Sequence, residues 1–218
     1  MDLFDLSGRV AVVTGGNGGI GLGMARGLAR AGAAVAVAGR NQEKSAAAVA
    51  ELEALGAEAA AVPVEVTDEA SCKAMVAATV ERFGQLDILI NNAGTNIRKQ
   101  PQDYALEEWE TVLSTNLTSA FICARAAYPE MCKAGGGKII NIGSMLSIFG
   151  LAFAPAYAAS KGGIVQLTKS LATAWARPRA MPRPMPPLPP VTTATRPPSL
   201  NISITLNPSP WTLIFPMA

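Results

Sequence analysis

The apolar run Arg9-Val10-Ala11-Val12-Val13 passes directly into Thr14-Gly15-Gly16-Asn17-Gly18-Gly19-Ile20-Gly21, and then into a helical pattern at Leu22, Ala25, Leu28 and Ala29. A buried strand, a glycine loop and a helix in that order constrain the fold more than any other stretch of the chain. Glycines let the backbone turn tightly and come close to a pyrophosphate. The helix start offers unpaired N–H groups and the positive end of a dipole. This is the context that a dinucleotide-phosphate site requires.

Strands and helices alternate along the residues that follow. Strands are predicted near Val10–Val13, Ala34–Ala38, Ala60–Val64, Leu86–Ile90 and Lys138–Ile142. Helices are predicted over Gly19–Ala31, Gln42–Leu55, Glu69–Phe83, Leu106–Lys133 and Ala154–Ala176. The strands are unbroken Val/Ile/Leu/Ala runs, as expected where both faces are buried. Such alternation implies an α/β chain, a doubly wound (Rossmann-like) parallel sheet with helices on both faces and right-handed crossovers. Ligand is then expected at the carboxyl ends of the strands.

A second motif lies in Tyr157-Ala158-Ala159-Ser160-Lys161, thirteen residues after Ser144. Positions i and i+4 share a helix face, so the phenol and the ammonium can address one reacting atom. A free phenol titrates near about 10 and is a poor base at neutral pH. A nearby cation favours the phenolate, and Ser144 can hold a substrate oxygen by a hydrogen bond. The set suits proton transfer at an alcohol oxygen.

Together, Thr14-Gly15-x-x-x-Gly19-Ile20-Gly21, Asn91-Asn92-Ala93-Gly94, Asn116, Ser144, Tyr157 and Lys161 resemble the short-chain dehydrogenase/reductase family in order and spacing. The resemblance spans residues 1 to about 176. It implies an NAD(P)-dependent oxidoreductase that interconverts a secondary alcohol and a ketone. By the same resemblance Tyr157 is the general acid/base and Ser144 polarises the substrate oxygen. Lys161 holds the nicotinamide ribose and tunes Tyr157, while Asn116 supports a proton relay through water. The cofactor contacts it implies are Gly15, Asn17, Gly19, Ile20, Gly21, Arg40, Asn41, Val66, Asn92, Ala93, Gly94, Tyr157 and Lys161. Intact members form dimers or tetramers, but part of the interface they use is not recognisable here.

The end of the second strand, Ala38-Gly39-Arg40-Asn41, carries no acid to grip a ribose 2′-OH. Arg40 stands there instead, and a guanidinium pairs well with a 2′-phosphate. NADP is therefore the expected cofactor, with NAD the alternative. Glu65 stands where relatives carry Asp near the adenine. The wording of Leu3-Phe4-Asp5-Leu6-Ser7-Gly8 and of Gly94-Thr95-Asn96-Ile97-Arg98-Lys99 is similar to the gluconate 5-dehydrogenase group. A sugar-acid carboxylate needs a cation, and the Arg98 fork is the candidate. The alternatives are a 3-oxoacyl thioester reductase, which uses the same chemistry, and a non-catalytic NADP-binding remnant or tail-mediated interaction protein.

Composition removes other classes. Length suits one domain, and a net charge of +2 argues against a nucleic-acid partner. No apolar run approaches the roughly 18 residues of a membrane span. The start, Met1-Asp2-Leu3-Phe4-Asp5, has no signal-peptide pattern, so a cytoplasmic location is expected. Histidine is absent, and Cys72, Cys123 and Cys132 form no C-x-x-C pair, so no metal site is expected.

Past Ala176 the character changes. Twelve of the sixteen prolines fall in residues 177–218, which contain no Gly, Asp or Glu. Proline runs cannot continue a helix and favour extended polyproline coil. The division expected is an incomplete oxidoreductase domain over 1–176 and a proline-rich tail over 177–218 that is irregular or translated out of frame. The fifth strand is then expected to present an open edge, prone to aggregation. Asn201-Ile202-Ser203-Ile204-Thr205-Leu206 has the alternation of a strand that would patch that edge. Arg183-Pro184-Met185-Pro186-Pro187-Leu188-Pro189 fits a basic-x-x-Pro-x-x-Pro ligand for an SH3-type groove.

Overall fold

The computed structural model describes residues 4–176 and the backbone of residues 201–207. The first strand, β1 (Val10–Thr14), is buried throughout and feeds α1 (Gly19–Arg30). Then follow β2 (Ala34–Gly39), α2 (Gln42–Ala54), β3 (Ala59–Pro63), α3 (Glu69–Phe83) and β4 (Ile88–Asn91). After a short 3-10 turn come α4 (Leu106–Leu113), a π turn at Ser114–Thr118 and α5 (Ser119–Lys133). The described chain closes with β5 (Lys138–Ser144), α6 (Pro155–Trp175) and β6 (Asn201–Asn207). All six strands are parallel, in the order β3-β2-β1-β4-β5-β6. The predicted doubly wound sheet is thus present, and its order reverses between β1 and β4.

Alternate residues of β1–β5 feed two separate cores, because successive side chains point to opposite faces. Ala11, Val13, Val35, Val37, Ile88 and Ile90 pack under Ala25 and Ala29 of α1 and Ala48 and Leu52 of α2. Val12, Ala36, Leu89 and Ile139 pack under Met75 of α3 and Cys123, Ala127 and Met131 of α5. Among β1–β5, exposed residues occur only in β3, at Ala61 and Pro63. That strand is an edge, and Pro63 at its end withholds no ladder donor from a neighbour.

Helix starts follow local chemistry. The Asn41 side chain caps α2 by accepting from Lys44 N at 2.9 Å, and Asp68 caps α3 by accepting from Ser71 N. Gly84, at φ +85°, ends α3 in the left-handed region.

Two expectations are corrected. The single helix predicted over Leu106–Lys133 is interrupted by the π turn, in which the Ser119 N–H donates to Ser114 O. An apolar period read by eye does not register one extra residue in a turn, and such bulges cluster at functional positions. The open edge predicted for β5 is covered: β6 pairs with it along its whole length, from Lys138 opposite Asn201 to Ser144 opposite Asn207. The β-branched alternation of residues 201–206 suits that pairing. The irregular tail over 177–200 and 208–218, and the proline motif at 183–189, lie outside the described residues.

Candidate active site

The carboxyl ends of β1 and β4 are tied together by Thr14 and Asn92. Thr14 Oγ1 donates to Ile90 O at 3.2 Å and accepts from the backbone N–H groups of Asn92 and Ala93 at 3.0 and 3.1 Å. The Asn92 side chain donates to Thr14 O and Gly15 O at 2.9 and 3.2 Å. Asn92, expected as a cofactor contact, therefore acts on the glycine loop that would hold the cofactor. Two glycines make that loop possible. Gly15 sits at φ +64°, which side-chain-bearing residues rarely adopt. A Cβ on Gly21 would lie 2.1 Å from Gly15 O and 2.6 Å from Asn92 Nδ2, so only glycine lets α1 start this close to the loop.

The N-terminus of α1 is set up for an anion. Gly18 at the cap brings no side-chain hydrogen bond to the first turn, and no acidic residue stands there. Its orphan N–H groups and dipole are unopposed by local acidic charge. Ile20 is half exposed at this position. Beside it opens a cleft of about 400 Å³ lined by Gly15, Asn17, Arg40, Lys44, Val66 and Thr111 among others. Of the predicted cofactor residues, Asn41, Ala93 and Gly94 also line it. The Asn17 amide donates to Asn41 O and Ser45 Oγ at 3.3 and 3.0 Å, joining the loop to the start of α2.

Arg40 is largely exposed at the rim, 3.5 Å from the Glu65 carboxylate. Burial works against the Glu65 charge, but hydrogen bonds from Thr67 and the Arg40 guanidinium outweigh it and hold its pKa below the ordinary value. An exposed ion pair of that length is worth little, so Arg40 is free to turn to a phosphate. Lys44, in the first turn of α2, adds a second cation to the same cleft. It was not singled out in the sequence, because Arg40 precedes the helix and the two share no helix-face spacing.

The catalytic candidates gather at the ends of β4 and β5. Ser144 is the last residue of β5. Its Oγ accepts from Leu146 N at 3.1 Å, which leaves the hydroxyl proton free to donate elsewhere. Lys161 on α6 is buried, and its Nζ donates to Ile142 O at 2.6 Å. Burial pulls the Lys161 ammonium down from 10.5 to about 8, so the group is still mostly charged at neutral pH. Nζ lies 5.6 Å from the centre of the Tyr157 ring, within cation–π range.

Asn116 sits in the π turn and is fully engaged. Its Oδ1 accepts from Thr95 N at 2.7 Å, and its amide donates to Thr95 O and Ser160 Oγ at 2.9 and 3.1 Å. Ser160 in turn donates to Tyr157 O at 2.7 Å. Asn116 thereby clamps the loop after β4 to the helix that carries Tyr157 and Lys161. Both amide protons are spent inside the protein, so a relay water would draw on the backbone of the π turn. Ser160, buried between Asn116 and Tyr157, was passed over in the sequence although it lies inside the Tyr-to-Lys motif.

Arg98 is exposed in the loop after β4 and makes no ion pair among the described residues. The loop is pinned on both sides of it. Lys99 pairs with Glu108, Lys99 N donates to Phe153 O at 3.0 Å, and the Tyr104 hydroxyl donates to Ile97 O. Among the described residues no cluster of His, Cys, Asp and Glu is placed to hold a metal, and no helix is long and apolar enough to cross a membrane.

An uncharacterized oxidoreductase of Thermotoga maritima is 43% identical over 172 residues, which is 79% of this chain and 67% of the relative. A gluconate 5-dehydrogenase of Gluconobacter oxydans is 42% identical over 176 residues, 81% of this chain and 69% of that protein. The crystal structure of a gluconate 5-dehydrogenase from Burkholderia cenocepacia, in complex with NADP and tartrate, superposes with a TM-score of 0.77 at 39% identity, covering 81% of this chain and 69% of that one. The matched stretch thus spans about two thirds of these relatives' length. The family model for short chain dehydrogenases matches residues 9–180, and the chain belongs to that family.

Proposed function

We propose that this chain is an NADP-dependent oxidoreductase that interconverts a secondary alcohol and a ketone on a sugar acid such as gluconate or keto-gluconate. The observation that carries the proposal is the buried Lys161 ammonium held against the Tyr157 ring by Ile142 O, at the end of the strand that carries Ser144. Gluconate 5-dehydrogenases among its relatives support the substrate class, and the NADP in one of their structures supports the cofactor.

The α1 N-terminus and the uncapped glycine loop would take the pyrophosphate, Arg40 and Lys44 the 2′-phosphate, and Lys161 a ribose hydroxyl. Bound there, the nicotinamide supplies the acceptor or donor of hydride. Ser144 Oγ–H donates to the reacting oxygen and favours the alkoxide that develops on it. Tyr157 Oη takes or gives the proton at that oxygen. The Lys161 charge beneath the ring favours the phenolate form in the transition state. The clamp through Asn116 and Ser160 holds this helix in register with the loop after β4, where a displacement of about 1 Å costs on the order of 100-fold in rate.

The test is turnover by the purified chain with NADP+ and NAD+ against gluconate, neutral secondary alcohols and 3-oxoacyl thioesters. Preference for the thioester would move the assignment to a 3-oxoacyl reductase. Cofactor binding without turnover on any substrate would make the chain a binding remnant. Arg40→Ala is expected to raise KM for NADP(H) by about tenfold or more and to leave KM for NAD(H) within about twofold; equal changes would remove Arg40 from 2′-phosphate recognition. Arg98→Ala is expected to raise KM for keto-acids about tenfold with no change for neutral ketones. A parallel rise for both substrate types would refute its role.

In the same reading residues 1–176 are the oxidoreductase domain and 177–218 a proline-rich segment, of which residues 201–207 join the domain's sheet as β6. Reading the coding nucleotides from codon 176 in all three frames tests whether that segment is in frame.

A further inference from the structure

Helices α3 and α5 pack side by side, and each presents a buried thiol to the other. Cys72 and Cys123 are 0% and 1% exposed, and their Sγ atoms lie 3.5 Å apart. Neither serves the reaction proposed above. Cys72 Sγ is also 3.4 Å from Val66 O and 3.8 Å from Glu65 O. Val66 and Glu65 both line the nucleotide cleft. The thiol pair therefore lies directly behind one wall of that cleft, and Cys72 supplies a donor to the backbone that forms it.

We propose that Cys72 and Cys123 are a redox pair that closes to an intramolecular disulfide with hydrogen peroxide and weakens dinucleotide binding when closed. Cys72, which lies against the cleft wall at Val66 O and Glu65 O, is the attacking sulfur; a hydrogen bond from the Cys123 S–H favours its thiolate, against burial and the nearby Asp68, Glu65 and Glu69 charges. Its thiolate attacks one peroxide oxygen and the O–O bond breaks. Hydroxide leaves and takes up a proton as water, and Cys72 becomes a sulfenic acid. The Cys123 sulfur then attacks Cys72 sulfur, the S–O bond breaks, and the departing hydroxide leaves with the Cys123 proton as a second water. Two thiols and one peroxide thus give one disulfide and two waters, and a dithiol reductant reverses the change.

Because both sulfurs are buried, the first step waits on local opening of α3 against α5, and oxidation is slow compared with that of an exposed thiol. An S–S bond is about 2.0 Å long, so the sulfurs must close by roughly 1.5 Å. Closure pulls Cys72 away from Val66 O and removes the S–H that faces it. A buried acceptor left without a donor and a displaced cleft wall are expected to weaken dinucleotide affinity about tenfold. By linkage, bound dinucleotide shifts the thiol–disulfide equilibrium toward the dithiol by the same factor. The coupling rests on the cleft being the dinucleotide site; the disulfide itself does not.

The experiment uses the full chain carrying Cys132→Ser, which removes the exposed thiol. After peroxide treatment and alkylation, mass analysis is expected to show loss of two hydrogens and a cross-linked Cys72–Cys123 peptide. The link should be reversed by dithiothreitol and absent from Cys72→Ser and Cys123→Ser in the same background. Accumulation of Cys72 sulfinic acid without a link, or two alkylated thiols after prolonged peroxide, overturns the proposal. NADP+ affinity is then measured on the oxidised and reduced chain. A tenfold loss supports the coupling, and equal affinity overturns it while the cross-link stands. A reduced chain that binds neither dinucleotide contradicts the functional reading instead, and the cross-link result is unaffected.

Discussion

Tyr157→Phe is expected to lower kcat by about 10²- to 10⁴-fold while changing the dinucleotide Kd by no more than about twofold. The substitution removes one oxygen and keeps the ring that lies 5.6 Å from Lys161 Nζ. No element of the two cores depends on that hydroxyl, since Tyr157 belongs to neither. The loss is therefore a loss of proton transfer. The measurement is steady-state turnover beside equilibrium titration with NADP+. If binding falls with turnover, Tyr157 holds the cofactor and the acid/base role belongs elsewhere.

Lys161→Met separates the catalytic need for a cation from its cost to the fold. In the folded chain burial lowers the Lys161 ammonium from 10.5 to about 8. The unfolded chain keeps the ordinary, higher value. Below about 8 both states carry the proton, and the burial penalty is fully present. Between about 8 and 10.5 the unfolded state holds more protons, so stability contributed by this group rises with pH. From pH 7 to pH 10 the wild type should gain on the order of 2–3 kcal/mol of unfolding free energy relative to Lys161→Met. Denaturant unfolding of both proteins at the two pH values reads this difference directly. A difference that stays flat would mean that Lys161 is hydrated in the folded state. At neutral pH the variant should lose turnover by about 10²-fold or more, because the Tyr157 phenolate loses its neighbouring charge. The cation is thus retained against a folding penalty, as expected where a site and not a core sets the residue.

The alternation of apolar runs with helical patterns was enough to place five of the strands and the order of the helices. Parallel strands buried on both faces need unbroken apolar text, and nothing else in the chain competes with Val10–Val13, Ala34–Ala38 or Leu86–Ile90 for that role. The glycine loop was legible for a similar reason: φ +64° at Gly15 and the contact forbidden to a Cβ at Gly21 can be met by one residue type only. Tyr157, Lys161 and Ser144 were legible because their chemistry is scarce and their spacing matches one helix turn and a strand end.

Other parts of the site depend on contacts between distant segments. The π turn at Ser114–Thr118 is invisible to periodicity, yet it aims Asn116 at Thr95 and Ser160, twenty-one and forty-four residues away. The Asn92 side chain is drawn to Thr14 and Gly15 once β1 and β4 pair, a contact that residue type alone does not name. The pairing of Cys72 with Cys123, fifty-one residues apart, exists only because α3 and α5 share one face of the sheet. The cover that β6 places on β5 has the same origin, since an alternating segment does not name its partner strand. Local residue type determined the elements, the glycine loop and the Tyr–Lys motif, because backbone sterics and helix spacing act within a few residues. Tertiary packing alone decided which side chains meet, how far Lys161 is stripped of water and what lies behind the cleft. Those outcomes depend on distances that only the folded sheet imposes.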